Sequence, residues 1–232
     1  TERLGVEDPR IQKIGRDYFI TYTAASVYPA NFNSQIAQSD KTPGIPWRTR
    51  VSLLKTRNFQ QFERLGVILP ELNSKDAILL PHKALGYHWL IHRVSPSIYI
   101  SRSKNVKHFD GGLEIMKPIY KWEERKIGAA GPIIDDINGS ILMYHGVSKT
   151  GIYSIGAALL NKDNPLLVLK RTKEPLIKPT EIWEKKGVVS NVVFQTGHVL
   201  RGGKLFLYYG AADQSVGLIK MTIEQIRESL DG

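Results

Sequence analysis

The chain of 232 residues has no cysteine and no long apolar run. Without cysteine it can form neither a disulfide nor a thiolate metal site, which favours a reducing compartment. No apolar run approaches the roughly 18 residues that a membrane helix needs, and residues 1–5 lack the shape of a signal peptide. We therefore expect a soluble, cytoplasmic protein with no membrane partner.

Metal-binding and nucleic-acid-binding motifs are absent too. The six histidines form no spaced pair with carboxylates of the kind that holds zinc, so we predict no metal site. The net charge of +10 would attract an anion, and phosphate, nucleic acid and acidic glycans are all candidates. The basic residues are spread along the chain and match no nucleic-acid motif. We therefore expect no nucleic-acid partner.

Helical periodicity is scarce, and a repeated strand pattern takes its place. Four segments begin with a turn, continue with four or five mostly apolar residues and end on an aromatic residue or histidine: residues 15–24, 86–94, 138–147 and 202–211. Alignment of these segments superimposes Tyr22, His92, His145 and Tyr209. An irregular repeat at intervals of about 50–70 residues is typical of propeller blades with loops.

Short apolar runs flank each repeat and predict further strands. Strands are expected before the repeats at residues 10–14, 77–81, 132–134 and 191–195, and after them at 51–55, 97–102, 153–160 and 216–222. Candidate fourth strands lie at residues 62–69, 112–116 and 166–177, and a long loop at 27–50. The one convincing helix is residues 223–230. The pattern predicts a single all-β propeller domain over residues 1–232, with about four blades and a short C-terminal helix.

A radial arrangement of these units would gather polar residues at the central axis. The residues just before each inner strand are Asp8, Lys75–Asp76, Gly131 and Asn191, and those near the end of the next strand are Tyr22, His92–Arg93, His145 and Tyr209. A propeller binds its ligand there because every blade can donate one group without rebuilding its core. Asp8 and Glu7 precede Pro9 at the start of a strand, and the alternative is that both simply solvate a loop.

Five motifs, in order, resemble glycoside hydrolase family 130, the β-mannoside phosphorylases and β-mannosidases. They are Gly5-Val6-Glu7-Asp8-Pro9-Arg10-Ile11, Lys126-Ile127-Gly128-Ala129-Ala130-Gly131-Pro132, Tyr144-His145-Gly146-Val147, Gly156-Ala157-Ala158-Leu159-Leu160 and Tyr208-Tyr209-Gly210-Ala211-Ala212-Asp213. The resemblance covers essentially the whole chain and implies a five-bladed β-propeller. Members usually carry a further stretch before the first motif, so the chain is expected to lack the N-terminal blade.

The resemblance also implies roles for individual residues. Asp8 matches the catalytic acid, and Asp213 matches a residue that contacts the sugar. The positions that bind phosphate are matched by Arg93, Lys126 and His145. From their places at the axis we add Lys75 as a phosphate-binding candidate and Asp76, Tyr209 and Tyr22 as substrate-binding candidates. The alternatives are a surface ion pair for Arg93, a solvated Lys126 and a core histidine at position 145.

The implied function is inverting phosphorolysis of β-mannosides or manno-oligosaccharides to mannose 1-phosphate, with inorganic phosphate as co-substrate and no cofactor. One departure is Lys75–Asp76, where phosphorylases of the family tend to carry Arg-Asn. An aspartate at this position would repel phosphate unless a cation engages it. A β-mannosidase of the same fold and a non-catalytic glycan-binding propeller remain alternatives. Trp47 and Trp122 are candidate sugar platforms, and the oligomeric state is open, a homo-oligomer included.

Overall fold

The computed structural model describes residues 2–28 and 47–232, which form four antiparallel sheets. The first sheet contains, in order, β1 (Val6–Ile14), β2 (Asp17–Val27), β3 (Trp47–Thr56) and β4 (Phe62–Val67). The second contains β5 (Lys75–Leu79), β6 (His88–Val94), β7 (Ser97–Ser103) and β8 (Leu113–Met116). Each sheet is built from neighbouring strands in the sequence, as in a propeller blade.

The third and fourth sheets follow the same plan. The third contains β9 (Lys126–Ala129), β10 (Ile134–Asp136), β11 (Gly139–Val147), β12 (Tyr153–Leu160) and β13 (Val168–Arg171), and both β9 and β10 pair with β11. The fourth contains β14 (Val193–Arg201), β15 (Lys204–Ala211) and β16 (Ser215–Thr222). The described helices are α1 (Ile182–Lys185) and α2 (Ile223–Asp231). Neither is long and apolar enough to cross a membrane.

These elements confirm the predicted all-β propeller with about four blades and a short C-terminal helix. The sequence pattern missed β9 and the single turn of α1. Most of the loop predicted at residues 27–50 lies outside the described residues.

Three apolar cores join successive sheets. The first packs β2 and β3 against β5 and β6, the second packs β6 and β7 against β9, β11 and β12, and the third packs β11 and β12 against β14, β15 and α2. A sheet with two apolar faces cannot be stable alone, so each blade depends on its neighbours. The four sheets therefore follow one another around a common axis.

The first and last sheets meet where β14 lies against β1. An apolar groove of about 850 Å³ borders this junction, lined in part by Pro9, Ile133 and Val199. Ile11 is 41% exposed and Val199 is 55% exposed. The first and last blades thus expose apolar side chains along this groove.

Left-handed backbone marks the inner start of three sheets. Asp8, Asp76 and Asn191 have φ values of 55°, 52° and 60°. At Asp8 and at Asp76 the pairing register shifts as in a β-bulge, and such a bulge redirects a side chain out of the sheet. Aspartate and asparagine tolerate this conformation better than most residues. The repeat places Asp8 and Asp76 beside the central axis.

Candidate active site

The four sheets enclose a cavity of about 480 Å³ at the axis, within the usual range for small-ligand sites. Its described lining combines four carboxylates, four cations, a histidine, two aromatic rings and small or aliphatic residues: Glu7, Asp8, Lys75, Asp76, Arg93, Arg125, Lys126, His145, Gly151, Tyr153, Val189, Val192, Phe194 and Asp213. Seven of the nine predicted site residues are therefore together. The exceptions are Tyr22 and Tyr209.

Asp8 lies within the bulge in β1, between Glu7 and Arg10, and its side chain is 21% exposed. Its Oδ2 is 3.3 Å from Lys75 Nζ, which is also 3.7 Å from Glu7 Oε1. Burial opposes the charge on Lys75, but the carboxylates of Asp76, Asp8 and Glu7 outweigh it and raise the pKa of the ammonium group. Lys75 is therefore a cation that sits between two carboxylates, beside the candidate acid.

Asp76 is completely buried and is held by two arginines. Its Oδ1 accepts a hydrogen bond from Arg10 Nη2 at 3.1 Å, and its Oδ2 lies 2.9 Å from Arg93 Nη1. The second contact has the distance of an ion pair, although its angles are not those of a directed hydrogen bond. Burial alone would raise the pKa of this carboxyl, but Arg93 and Arg10 hold it well below its usual range. The charge of Asp76 is therefore engaged by Arg10 and Arg93.

His145 is completely buried on β11, with Nε2 3.6 Å from Asp76 Oδ2 and 3.5 Å from Arg93 Nη1. Burial is the main reason that its pKa falls to about 3. The Asp76 carboxylate opposes this shift, and Arg93, Arg10 and Lys126 add to it. The imidazole is therefore neutral at neutral pH. Gly128 faces it from β9, where a Cβ would lie 2.6 Å from both Asp76 Oδ2 and His145 Cε1. Asp76 and His145 can lie this close to β9 only because residue 128 is glycine.

Lys126 is the first residue of β9, and Arg125 precedes it. Lys126 is only 6% exposed, and its Nζ lies 6.0 Å from the centroid of the Tyr153 ring. Arg125 is exposed, but it also lines the cavity, and the sequence reasoning missed it. Its position directly before Lys126 was the one available signal. These two residues extend the cationic wall that Arg93 begins.

The aromatic residues at the cavity are Tyr153 and Phe194, which the sequence reasoning did not select. The His145 ring centroid lies 6.1 Å from that of Tyr153 and 4.8 Å from that of Phe194. Trp122 instead packs beneath Gly146 and Gly156 and donates its Nε1–H to Lys173 O. Trp47 begins β3, and neither tryptophan belongs to the cavity lining.

Tyr22 and Tyr209 occupy other places. The hydroxyl of Tyr22 donates to Glu2 Oε1 at 2.6 Å, and the hydroxyl of Tyr209 donates to Glu184 Oε1 at 2.6 Å. Tyr209 belongs to the core between the third and fourth sheets, where burial and the Glu184 carboxylate raise its pKa to about 12. Asp213, in contrast, is exposed at the cavity rim.

The polar groups suit an anion and a hydroxylated ligand. Arg93 and Lys126 supply positive charge, and neutral His145 supplies one N–H and one acceptor. Asp8 and Asp213 can exchange hydrogen bonds with hydroxyl groups. Within residues 2–28 and 47–232, no group of three or more histidines and carboxylates could hold a metal ion.

Comparisons with known proteins agree with this geometry. A family model described as "beta-1,4-mannooligosaccharide phosphorylase" matches residues 1–231. A 1,2-beta-oligomannan phosphorylase from Thermoanaerobacter sp. (strain X514) is 36% identical over 227 residues, which are 97% of this chain and 71% of the relative. A beta-1,2-mannobiose phosphorylase from Listeria innocua is 29% identical over 239 residues, 99% of this chain and 61% of the relative.

Solved structures give the same result. A Listeria innocua beta-1,2-mannobiose phosphorylase in complex with beta-1,2-mannobiose superposes with a TM-score of 0.82 at 30% identity, covering 98% of this chain and 61% of the other. The chain spans 61% to 71% of the length of these relatives. Because the family model covers nearly the whole chain, the protein belongs to glycoside hydrolase family 130, the mannoside phosphorylase family.

Proposed function

We propose that this protein, acting as one catalytic domain, is an inverting β-mannoside phosphorylase. The observation that carries the proposal is the pairing of Asp8 with a cationic wall across a cavity of about 480 Å³. The names of its relatives supply the substrate class, since they are phosphorylases of β-1,2- or β-1,4-linked manno-oligosaccharides.

The reaction joins phosphate to the anomeric carbon of the terminal mannose. A phosphate oxygen forms the new bond while the glycosidic carbon–oxygen bond breaks, and the leaving oxygen takes a proton that Asp8 supplies. In the family this proton is expected to pass through a hydroxyl of the bound mannose. Attack from the opposite face inverts the configuration, so the products are α-mannose 1-phosphate and a shortened saccharide.

Phosphate needs cations to hold it, because it is itself the nucleophile. Arg93 offers a planar fork of donors, Lys126 a point charge, and neutral His145 a hydrogen-bonding ring. Lys75 Nζ lies 3.3 Å from Asp8 Oδ2 and 3.7 Å from Glu7 Oε1, so it already pairs with two carboxylates. We propose that it keeps Asp8 and Glu7 in place while adding positive charge to the site.

The hydrolase alternative depends on a carboxylate, Asp76 or another, that activates water. The carboxylate of Asp76 is 0% exposed and both of its oxygens lie against arginines, so it does not reach a water in the cavity. An aspartate held in this way repels phosphate less, because the arginines compensate its charge. The geometry of Asp76 therefore favours the phosphorylase.

Product analysis tests the proposal. The protein is incubated with β-1,2-mannobiose or β-1,4-mannobiose, with and without inorganic phosphate, and the products are separated by ion chromatography. We expect mannose 1-phosphate, formed only when phosphate is present. Free mannose without mannose 1-phosphate at saturating phosphate would instead establish the hydrolase. Binding of mannosides without any turnover would favour a non-catalytic glycan-binding propeller.

The remaining parts of the proposal concern partners and location. We propose inorganic phosphate as co-substrate, no further cofactor, and a cytoplasmic enzyme that binds neither nucleic acid nor a membrane. Relatives named for mannoside phosphorolysis support the first point. The oligomeric state stays open, and light scattering of the purified protein would measure it.

A further inference from the structure

Arg10 is a fully buried arginine directly beneath the cavity, and the function proposed above gives it no role. Its exposed fraction is 0%, and it is absent from the described cavity lining. A buried guanidinium is stable only if its N–H groups find acceptors. The identity of those acceptors indicates what Arg10 does.

Arg10 contacts all four sheets. Within its own sheet Nη1 donates to Asp8 O at 2.9 Å, and in the second sheet Nη2 donates to Asp76 Oδ1 at 3.1 Å. In the third sheet Nε donates to Ala130 O at 2.8 Å and Nη2 to Ala129 O at 2.9 Å. The guanidinium carbon lies 5.8 Å from the centroid of the Phe194 ring in the fourth sheet. One side chain thus contacts residues of all four sheets that surround the cavity.

Two of these bonds lead to proposed catalytic groups. The bond to Asp8 O fixes the peptide of a residue with φ of 55°, a conformation that an aspartate holds only when its surroundings support it. The bond to Asp76 Oδ1 orients the carboxylate whose other oxygen lies 2.9 Å from Arg93. Arg10 therefore contacts the acid through its backbone and the phosphate-binding cation through Asp76.

We propose that Arg10 is a positioning residue that sets the distance between Asp8 and Arg93. This inference rests on the proposed function, because it assigns the acid to Asp8 and phosphate to Arg93. Arg10 does not touch the substrate itself. It holds the two groups at a fixed separation, so that Asp8 serves the glycosidic oxygen and phosphate reaches the anomeric carbon of the same bond.

The test is Arg10→Lys. Lysine keeps the positive charge but has one nitrogen, which cannot reach Asp8 O, Asp76 and both alanine carbonyls at once. A misplacement of about 1 Å can cost about a hundredfold in rate. We expect kcat to fall about a hundredfold and the KM for phosphate to rise about tenfold, whereas the KM for the mannoside changes less than about threefold.

Arg50→Lys is the matched control. Arg50 is 4% exposed and donates to Pro70 O, Thr49 O, Asn73 Oδ1 and Tyr28 Oη, so it loses a comparable network. We expect a similar fall in Tm, with kcat and the phosphate KM nearly unchanged. If Arg10→Lys stays folded and keeps both kcat and phosphate KM, or if Arg50→Lys loses both equally, the proposal is wrong.

Citrulline introduced at position 10 by stop-codon suppression covers the case in which Arg10→Lys does not fold. It keeps the planar shape of arginine but replaces one Nη with oxygen, and we expect the same separation between the phosphate KM and the mannoside KM. Retention of the parent values overturns the proposal. An unmodified protein that releases only free mannose contradicts the proposed function instead, and the comparison of kcat values still tests Arg10.

Discussion

Asp8 is open to the cavity, as a group that gives a proton to a bound saccharide must be. Its side chain is 21% exposed at the cavity, whereas Asp76 is sealed between arginines. Asp8→Asn removes the acid and keeps the shape, so turnover should fall roughly a hundredfold or more. Steady-state kinetics with mannobiose and phosphate measure this, and the mannoside KM should change little.

Glu7→Gln is the control for Asp8→Asn, because Glu7 is the adjacent carboxylate and also lies near Lys75. We expect a much smaller effect on kcat. Activity of Asp8→Asn within about twofold of the parent would remove Asp8 from the mechanism, and Glu7 or Asp213 would replace it as the candidate.

Arg93 should determine the affinity for phosphate. Loss of a charge-assisted contact to an anion costs about 1.5–3 kcal/mol, so Arg93→Ala should raise the phosphate KM about ten- to a hundredfold. Mannoside binding should stay nearly intact. Arg102→Ala removes an arginine that is 53% exposed and pairs with Asp110, and it should leave the phosphate KM unchanged. An equal effect of the two substitutions would contradict the assignment.

Gly128 should tolerate no side chain. A Cβ there would meet Asp76 and His145, neither of which has room to move away, so Gly128→Ala should lower both Tm and kcat. Gly111 has nothing within 4 Å of its Cβ position and serves as the control. Circular dichroism melting and the phosphorolysis assay measure the two effects. A Gly128→Ala protein with the parent's Tm and kcat would show that the site adapts.

A residue's place in the candidate site could be predicted where the residue lies in a recognisable motif or repeat. Asp8, Lys126 and His145 belong to short motifs, Arg93 belongs to the strand repeat at residues 86–94, and the fold brings the four together. Tyr209 occupies the same repeat position as His145, but its ring enters the core between two sheets. Tyr153 and Phe194 reach the cavity only because neighbouring blades close around it, and no local pattern carries that information.

At the scale of elements, the segment before β9 is fixed by Glu123. This completely buried carboxylate accepts from Ile119 N, Tyr120 N, the Tyr144 hydroxyl and Arg171 Nη2. Glu123→Gln should lower the free energy of unfolding by about 2 kcal/mol or more, because a buried charged hydrogen bond is lost. Urea unfolding measures it.

Glu124→Gln is the matched control, since Glu124 is the next residue and is exposed. It should change the free energy of unfolding by less than about 0.5 kcal/mol. Equal effects at positions 123 and 124 would mean that the buried network contributes little to the stability of this segment.

Apolar runs bounded by turn residues were the most predictable elements. β12 has the predicted bounds, and the predicted helix differs from α2 by one residue. In contrast, β9 has four residues, two of them small, and is a strand because β11 offers it a partner over residues 126–129. Such tertiary pairing overrides weak local preference.

For the whole molecule, buried histidines should make stability depend on pH. Burial lowers the pKa of His92 and His198 to about 4 and contributes most to the lowering of His145 to about 3. Below about pH 6.5 the unfolded chain binds protons at these residues and the folded chain does not. The free energy of unfolding should therefore fall by up to about 1.4 kcal/mol per pH unit for each histidine.

Urea unfolding between about pH 6.5 and pH 5.5 checks this, because ordinary carboxylates, with pKa values of about 4, stay ionised there. His92→Gln removes one of the three groups and should reduce the slope by about a third. A free energy of unfolding that stays flat over this interval would mean that these rings are hydrated in the native protein.

The contacts of Arg10 also have a consequence for the order of folding. Its bonds to Asp76, Ala129 and Ala130 span 66, 119 and 120 residues of sequence. Until three blades have assembled, the guanidinium has few of these acceptors and favours solvent. A partly assembled ring is therefore destabilised by a buried Arg10 guanidinium that lacks acceptors. Closure of the ring should be cooperative, and slow for a chain of this length. We expect the blades to unfold together in one transition.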